Sequence, residues 1–225
     1  MRTSSLILVG LLLLSITAQA DEGRTGKFML GLFGGWSMPV EKKDGVLTGD
    51  NDFSITDSQE SMWGTFGAMA GYMGASGYGF EIETQFLNTN VYAQEMDNIN
   101  IGNLKSVEIV FLGRIQTVPF DWEGWSFHIT GGFGFSLNRF SRDVGIDLLE
   151  QSAGAAVSVG SGIGFVSDCS IGVAYYITNY LSVEVDAKIN VNLAPMHWHA
   201  GHEKLNVTDL TYVAGQFVAG INFWL

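Results

Sequence analysis

Residues 211–225 read TYVAGQFVAGINFWL. The side chains alternate to the final position. One face carries Thr211, Val213, Gly215, Phe217, Ala219, Ile221, Phe223 and Leu225. The other carries Tyr212, Ala214, Gln216, Val218, Gly220, Asn222 and Trp224. A period of two belongs to a β-strand. Chain ends of soluble domains tend to fray, so an aromatic, apolar strand at this place points to a closed barrel in lipid. There the last strand pairs with the first and no edge remains.

The other end of the sequence reads as a secretory signal. Arg2 supplies a positive start, and Leu6 to Ile16 form an apolar run too short to span a bilayer. Ala18-Gln19-Ala20 has the small–x–small form of a cleavage site. The expected division is a signal peptide over 1–20 and a single barrel domain over 21–225.

Composition fits this reading. The chain has 29 Gly, 15 Phe, 6 Trp and 7 Tyr but 3 Pro, and charged residues make up 15% of it, against about 25% in ordinary soluble proteins. After the signal no second apolar run is long enough for a membrane helix. A net charge of −12 excludes nucleic-acid binding through a broad basic surface. The single Cys169 allows no internal disulfide and is expected to be a buried thiol.

Seven further strands are legible upstream. They are expected at 26–38, 61–73, 78–87, 104–117, 125–137, 169–177 and 181–193. The seventh is the clearest. Leu181, Val183, Val185, Ala187, Ile189, Val191 and Leu193 share one face, and Ser182, Glu184, Asp186, Lys188, Asn190 and Asn192 the other. Slipping it by one residue turns its charges outward. Each Lys near the bilayer midplane then costs about 2–4 kcal/mol, with acids less, so register is well specified. Connections alternate: 38–60, 88–103, 138–168 and 194–208 are long, whereas 74–77, 118–124 and 178–180 are short. That is the pattern of extracellular loops and periplasmic turns. The expected fold is therefore all-β: an eight-stranded antiparallel up-and-down transmembrane barrel with four long extracellular loops.

A lipocalin-like soluble barrel is the alternative, with an apolar inside and a polar outside. Here the charged faces are also rich in Gly and Ser, which suits the narrow interior of eight strands, while the aromatic faces suit lipid. Aromatic residues also gather near both strand ends as two girdles, with Trp125, Tyr180 and Phe223 at one end and Trp36, Trp63, Phe86 and Tyr212 at the other.

Three stretches resemble the OmpA/OmpX-type eight-stranded outer-membrane β-barrel superfamily: the closing segment 220–225, the strand–tight turn–strand unit 171–193 and the Gly-aromatic strand 127–137. The resemblance implies outer-membrane location. It also implies that Gly220, Phe223 and Leu225 form a signal read by the barrel-assembly machinery, although Leu225 stands where Phe is usual and Val218 where a polar residue is common. A peptidoglycan-binding domain like that of OmpA is not expected. The implied surroundings are outer-membrane lipid and lipopolysaccharide, and the expected state is a monomer without cofactors.

Candidate sites follow from the faces. Glu81, Glu83, Glu108, Arg114, Glu184, Asp186 and Lys188 fall on lumen faces and are expected to form an interior ion-pair network. Arg114 stands beside Glu81 and Glu83, and a guanidinium fork can bridge two carboxylates. A gated pore or proton path is the alternative use of these groups. His197, His199, His202 and Glu203 cluster in the last long connection, and imidazoles with a carboxylate suit Zn²⁺, Cu²⁺ or Ni²⁺, though the spacing matches no closed metal site. His128-Ile129-Thr130 is the nearest approach to the His-x-Ser arrangement of lipid A deacylases. It has Thr in place of Ser, and His128 is expected to be a hydrogen-bonded interior residue. Asp50-Asn51-Asp52 lacks the remaining ligands of a calcium loop, and the small residues of 154–164 suggest a mobile or hairpin-like segment. The expected role is non-enzymatic, structural or at the cell surface. A small channel for ions or hydrophobic molecules comes next, and a lipid A-modifying enzyme after it.

Overall fold

The computed structural model describes residues 26–41, 45–48, 53–57, 63–75, 77–93, 99–117, 124–142, 146–147, 150–151, 156–194, 198–200, 203–207 and 210–225. The expected signal peptide lies outside them. Eight long strands make the barrel: β1 (Lys27–Glu41), β2 (Trp63–Met73), β3 (Tyr78–Ala93), β4 (Ile99–Gln116), β5 (Gly124–Arg142), β6 (Gly162–Thr178), β7 (Leu181–Ala194) and β8 (Leu210–Trp224). Each pairs antiparallel with its sequence neighbours, and β8 returns to β1 with Leu30 opposite Phe223 and Trp36 opposite Phe217. Closure gives the backbone donors and acceptors of every barrel strand partners on both sides, as a strand crossing lipid requires.

Tight turns join strands at one end. Between β2 and β3, Gly77 has φ of 84°, a left-handed conformation that costs glycine little. Its N–H donates to the Gly74 carbonyl at 3.0 Å, and its own carbonyl accepts from the Gln116 N–H at 2.8 Å. The turn is thereby tied to the next hairpin. Asn179 and Tyr180 turn β6 into β7.

The pleat separates two environments. On β5, Trp125, Phe127, Ile129, Phe133, Phe135 and Leu137 point out, while Ser126, His128, Thr130, Ser136 and Asn138 are buried inside. Leu32 on β1 is 66% exposed and Trp224 on β8 is 0% exposed. The outward set surrounds the barrel, and an apolar surface of that extent is foreign to a protein in water. Rings interlock across it: Phe66 stacks on Phe86 with centroids 5.1 Å apart, and Trp125 meets Tyr175 at 4.9 Å. Cys169 belongs to this outer wall and is exposed. The expectation of a buried thiol is corrected, because the alternation of β6 places it in the outward row with Ile171.

The other end differs from the sequence reading in two places. Residues 88–103 were expected to be a long connection, yet β3 and β4 stay paired as far as Ala93 and Ile99. Part of 154–164 is strand as well, in Val157–Val159 and the start of β6. Five short strands continue the sheet here. Phe53–Asp57 pairs with the upper end of β3 and with Gly45–Thr48, which pairs with Glu203–Val207. That segment pairs with Trp198–Ala200, which pairs in turn with Val157–Val159. A hydrogen-bonded collar thus links three of the four connections at this end.

Candidate functional site

The lumen is two-sided. Six buried carboxyl groups, Glu81, Glu83, Glu108, Asp168, Glu184 and Asp186, share it with Arg114, Lys188 and His128. All nine stand on β3 to β7. The contiguous wall β8–β1–β2 carries no buried charge among the described residues and presents Met29, Phe33, Met69, Met73, Val218 and Trp224 together with Ser37, Thr65, Gln216 and Asn222.

Strand register arranges the charges in levels. Nearest the turns, Arg114 on β4 donates through Nη1 to Glu81 on β3 at 3.1 Å and through Nη2 to Glu184 on β7 at 3.0 Å. Its Nε donates to Gln116 at 3.0 Å. The fork therefore joins an adjacent strand to one across the lumen. At the next level His128, Gly172 and Asp186 lie in one register row on β5, β6 and β7. His128 Nε2 meets Asp186 Oδ1 at 2.6 Å over the glycine. A Cβ on Gly172 would stand 2.3 Å from that oxygen and 2.5 Å from that nitrogen, so the missing side chain lets the pair form.

Higher up, Lys188 on β7 crosses to Glu83 on β3 and lies 3.8 Å from Asp168 on β6. Its ammonium sits 5.0 Å from the centroid of the Phe33 ring on the opposite wall, within cation–π range. Glu108 is held by the side-chain amides of Gln85, Asn190 and Asn192. These donors offset part of the cost of removing the carboxylate from water.

An apolar floor closes the turn end. Met29, Met73, Tyr176 and Trp224 are each at most 2% exposed and pack together with Ala174. The Tyr176 and Trp224 rings lie 5.5 Å apart. The indole N–H donates to Ser182 at 2.8 Å, and Gln116 donates to the Tyr176 hydroxyl, so the polar edges of both rings are satisfied.

The structure places Glu81, Glu83, Glu108, Arg114, Glu184, Asp186 and Lys188 in this lumen. It pairs Arg114 with Glu81 and Glu184, whereas Glu83 goes to Lys188. Asp168 was missed by the sequence reading, although the alternation of Ile163 and Phe165 continues into it. Of the expected metal cluster, His197 and His202 lie outside the described residues. Only the backbone of His199 and Glu203 is described, on two paired short strands with His199 opposite Lys204. A different trio meets inside the barrel: one ligand atom each from His128, Glu184 and Asp186 lie within 4.8 Å of one another. Those donors suit a divalent transition metal, yet the Arg114 guanidinium already engages Glu184 and opposes a second cation there. Gly220, Phe223 and Leu225 lie on β8 or just after it, with Gly220 inward and the other two outward.

His128 and Thr130 do not form a nucleophile–base pair. Thr130 bonds Ser170 at 2.7 Å, and Ser170 donates to Asp186 at 3.3 Å. Neither hydroxyl is hydrogen-bonded to the imidazole that would have to activate it.

The sequence matches no protein-family model and no curated protein. Among solved structures it is similar to the outer membrane protein OprG from Pseudomonas aeruginosa, at 13% identity over 90% of this chain and 97% of that one, with a TM-score of 0.63. It is also similar to the outer membrane protein AlkL, at 8% identity over 92% and 93% of the two chains, with a TM-score of 0.51. The chain therefore has the fold of the eight-stranded outer-membrane barrels.

Proposed function

We propose that this is a non-enzymatic outer-membrane barrel that conducts nothing through its lumen and acts at the cell surface through its collar. The observation that supports the reading is the filling of the lumen. Ion pairs bridge it from β4 to β7 and from β7 to β3, and the Met29–Met73–Tyr176–Trp224 floor lies beneath them. A hydrated ion moving along the axis would have to displace a buried, paired charge and then an apolar plug. Breaking one such pair costs about 3–5 kcal/mol. Among the described residues no hydroxyl is hydrogen-bonded to His128, which argues against a serine-type hydrolase. On this reading Gly220, Phe223 and Leu225 serve assembly and take no part in the surface role.

The test is conductance in planar bilayers. Protein that shifts on unheated gels, and is therefore folded, is expected to give no stepwise current. Regular unitary steps from the same preparation would instead support the channel reading.

A further inference from the structure

On the outer wall, the apolar columns of two neighbouring strands end at the same level, and both end in a cation. Up β4 the outward side chains run Phe111, Ile109, Val107, Lys105. Up β5 they run Phe133, Phe135, Leu137, Arg139. Val107 lies opposite Leu137, and Lys105 lies opposite Arg139. Both cations are exposed. Among the described residues neither has a carboxylate within 4 Å, whereas nearby Arg142 pairs with Glu150 and Asp147. Like charges directly opposite on adjacent strands destabilise a sheet. In a chain carrying 23 acidic residues and 11 Lys and Arg, two cations juxtaposed with no acid beside them among the described residues call for an anion from elsewhere.

The surface beside them has room for a molecule. A hollow of about 560 Å³ is lined by Lys105, Arg139 and Ser161 above and by Val107, Leu137 and Ile163 below. The polar row sits at the loop-end limit of the apolar wall, where lipid headgroups would meet it, and the apolar row faces their chains. An ammonium and a guanidinium side by side match the oxygens of a phosphate. A free anion would use the upper row alone. A molecule that is both phosphorylated and acylated uses the whole hollow.

We propose that Lys105 and Arg139 bind a phosphate of an acylated glycolipid of the outer leaflet, with one acyl chain lying over Val107, Leu137 and Ile163. The proposal rests on the membrane placement argued above and is independent of whether the lumen conducts. Placement is read separately, by the gel shift of the heated and unheated protein.

The experiment titrates detergent-solubilised, gel-shift-competent protein with bis-phosphorylated lipid A, with dephosphorylated lipid A and with inorganic phosphate, followed by native mass spectrometry. The wild type is expected to bind the phosphorylated lipid about tenfold more tightly than K105Q/R139Q does, the loss appropriate to charge-assisted hydrogen bonds. It is also expected to prefer phosphorylated over dephosphorylated lipid and to bind phosphate alone undetectably. Without lipid, the double variant should unfold at the same or a higher temperature than the wild type, because a repulsion has been removed. Equal lipid binding by the double variant, equal affinity for dephosphorylated lipid, tight binding of phosphate alone or a less stable double variant would each overturn the assignment.

Discussion

The wall formed by β8, β1 and β2 and the wall formed by β3 to β7 enclose one lumen and differ in charge. Between Met29 and Ser37, and on the facing parts of β2 and β8, the described lumen side chains carry no charge. Among the described residues the other wall holds nine acidic or basic side chains. Charged groups buried at this density persist when each is paired and hydrogen-bonded. Three of the pairs join strands that are not neighbours: Arg114 to Glu184, Lys188 to Glu83, His128 to Asp186. The uncharged wall contributes most of the floor, which Ala174 and Tyr176 of β6 complete, and its Phe33 ring offers a face to Lys188. Cross-lumen ion pairs thus fix the distance between opposite sides of a tube whose own hydrogen bonds run around its circumference.

The largest break in this comparison is Arg114→Met. The side chain keeps much of its length but leaves Glu81 and Glu184 buried without their shared cation. A loss of about 3–5 kcal/mol is expected, the usual result of removing one member of a buried charge set. Urea unfolding in micelles, followed by gel mobility, measures it. An unchanged midpoint would mean that the cross-lumen pairs contribute nothing to stability.

The sequence allowed some of this architecture to be read and concealed the rest for physical reasons. The faces of β7 and β8 were legible because lipid and lumen impose opposite demands on successive residues, as in Val183, Glu184, Val185 and Asp186. The upper ends of β3 and β4 were not. Beyond the apolar wall no lipid marks the outward face, so Asn88 to Ala93 and Ile99 to Asn103 read as loop. Asp168 was lost with the start of β6, where Gly160, Ser161, Gly162 and Gly164 resemble a linker. Periodicity gave Arg114 its face and placed Glu81 and Glu83 beside it. Its bond to Glu184 depends on how strand tilt and stagger wrap the sheet, which no local pattern encodes.

A smaller change sharpens the contrast between the walls by using glycine on each. Gly172→Ala places a Cβ where Asp186 and His128 meet, 2.3 and 2.5 Å from their bonded atoms. The ring and the carboxylate can swing away, but only by giving up their contact inside a closed lumen. A cost of about 1–3 kcal/mol, typical of overpacking, is expected in the same unfolding assay. The proton resonances of His128 should move with it. A variant with unaltered stability and unaltered imidazole signals would show that the pair does not need the glycine.

The smallest effect belongs to the uncharged wall. A Cβ on Gly220 would meet the Leu32 carbonyl oxygen at 3.2 Å and the Glu184 Cγ and Phe33 Cβ at 3.4 Å. These contacts are tight but relieved by shifts of a few tenths of an ångström, and the added methyl meets the Cγ of Glu184 rather than the carboxylate that Arg114 holds. Gly220→Ala, refolded in vitro so that assembly in the cell does not enter, is expected to cost less than about 1 kcal/mol, below the usual range for overpacking. The order Gly172 above Gly220 is the informative result. If Gly220→Ala proved the more damaging, the uncharged wall would be the more tightly packed side of the lumen, and the spacing of the barrel would be set there and not by the charges that cross it.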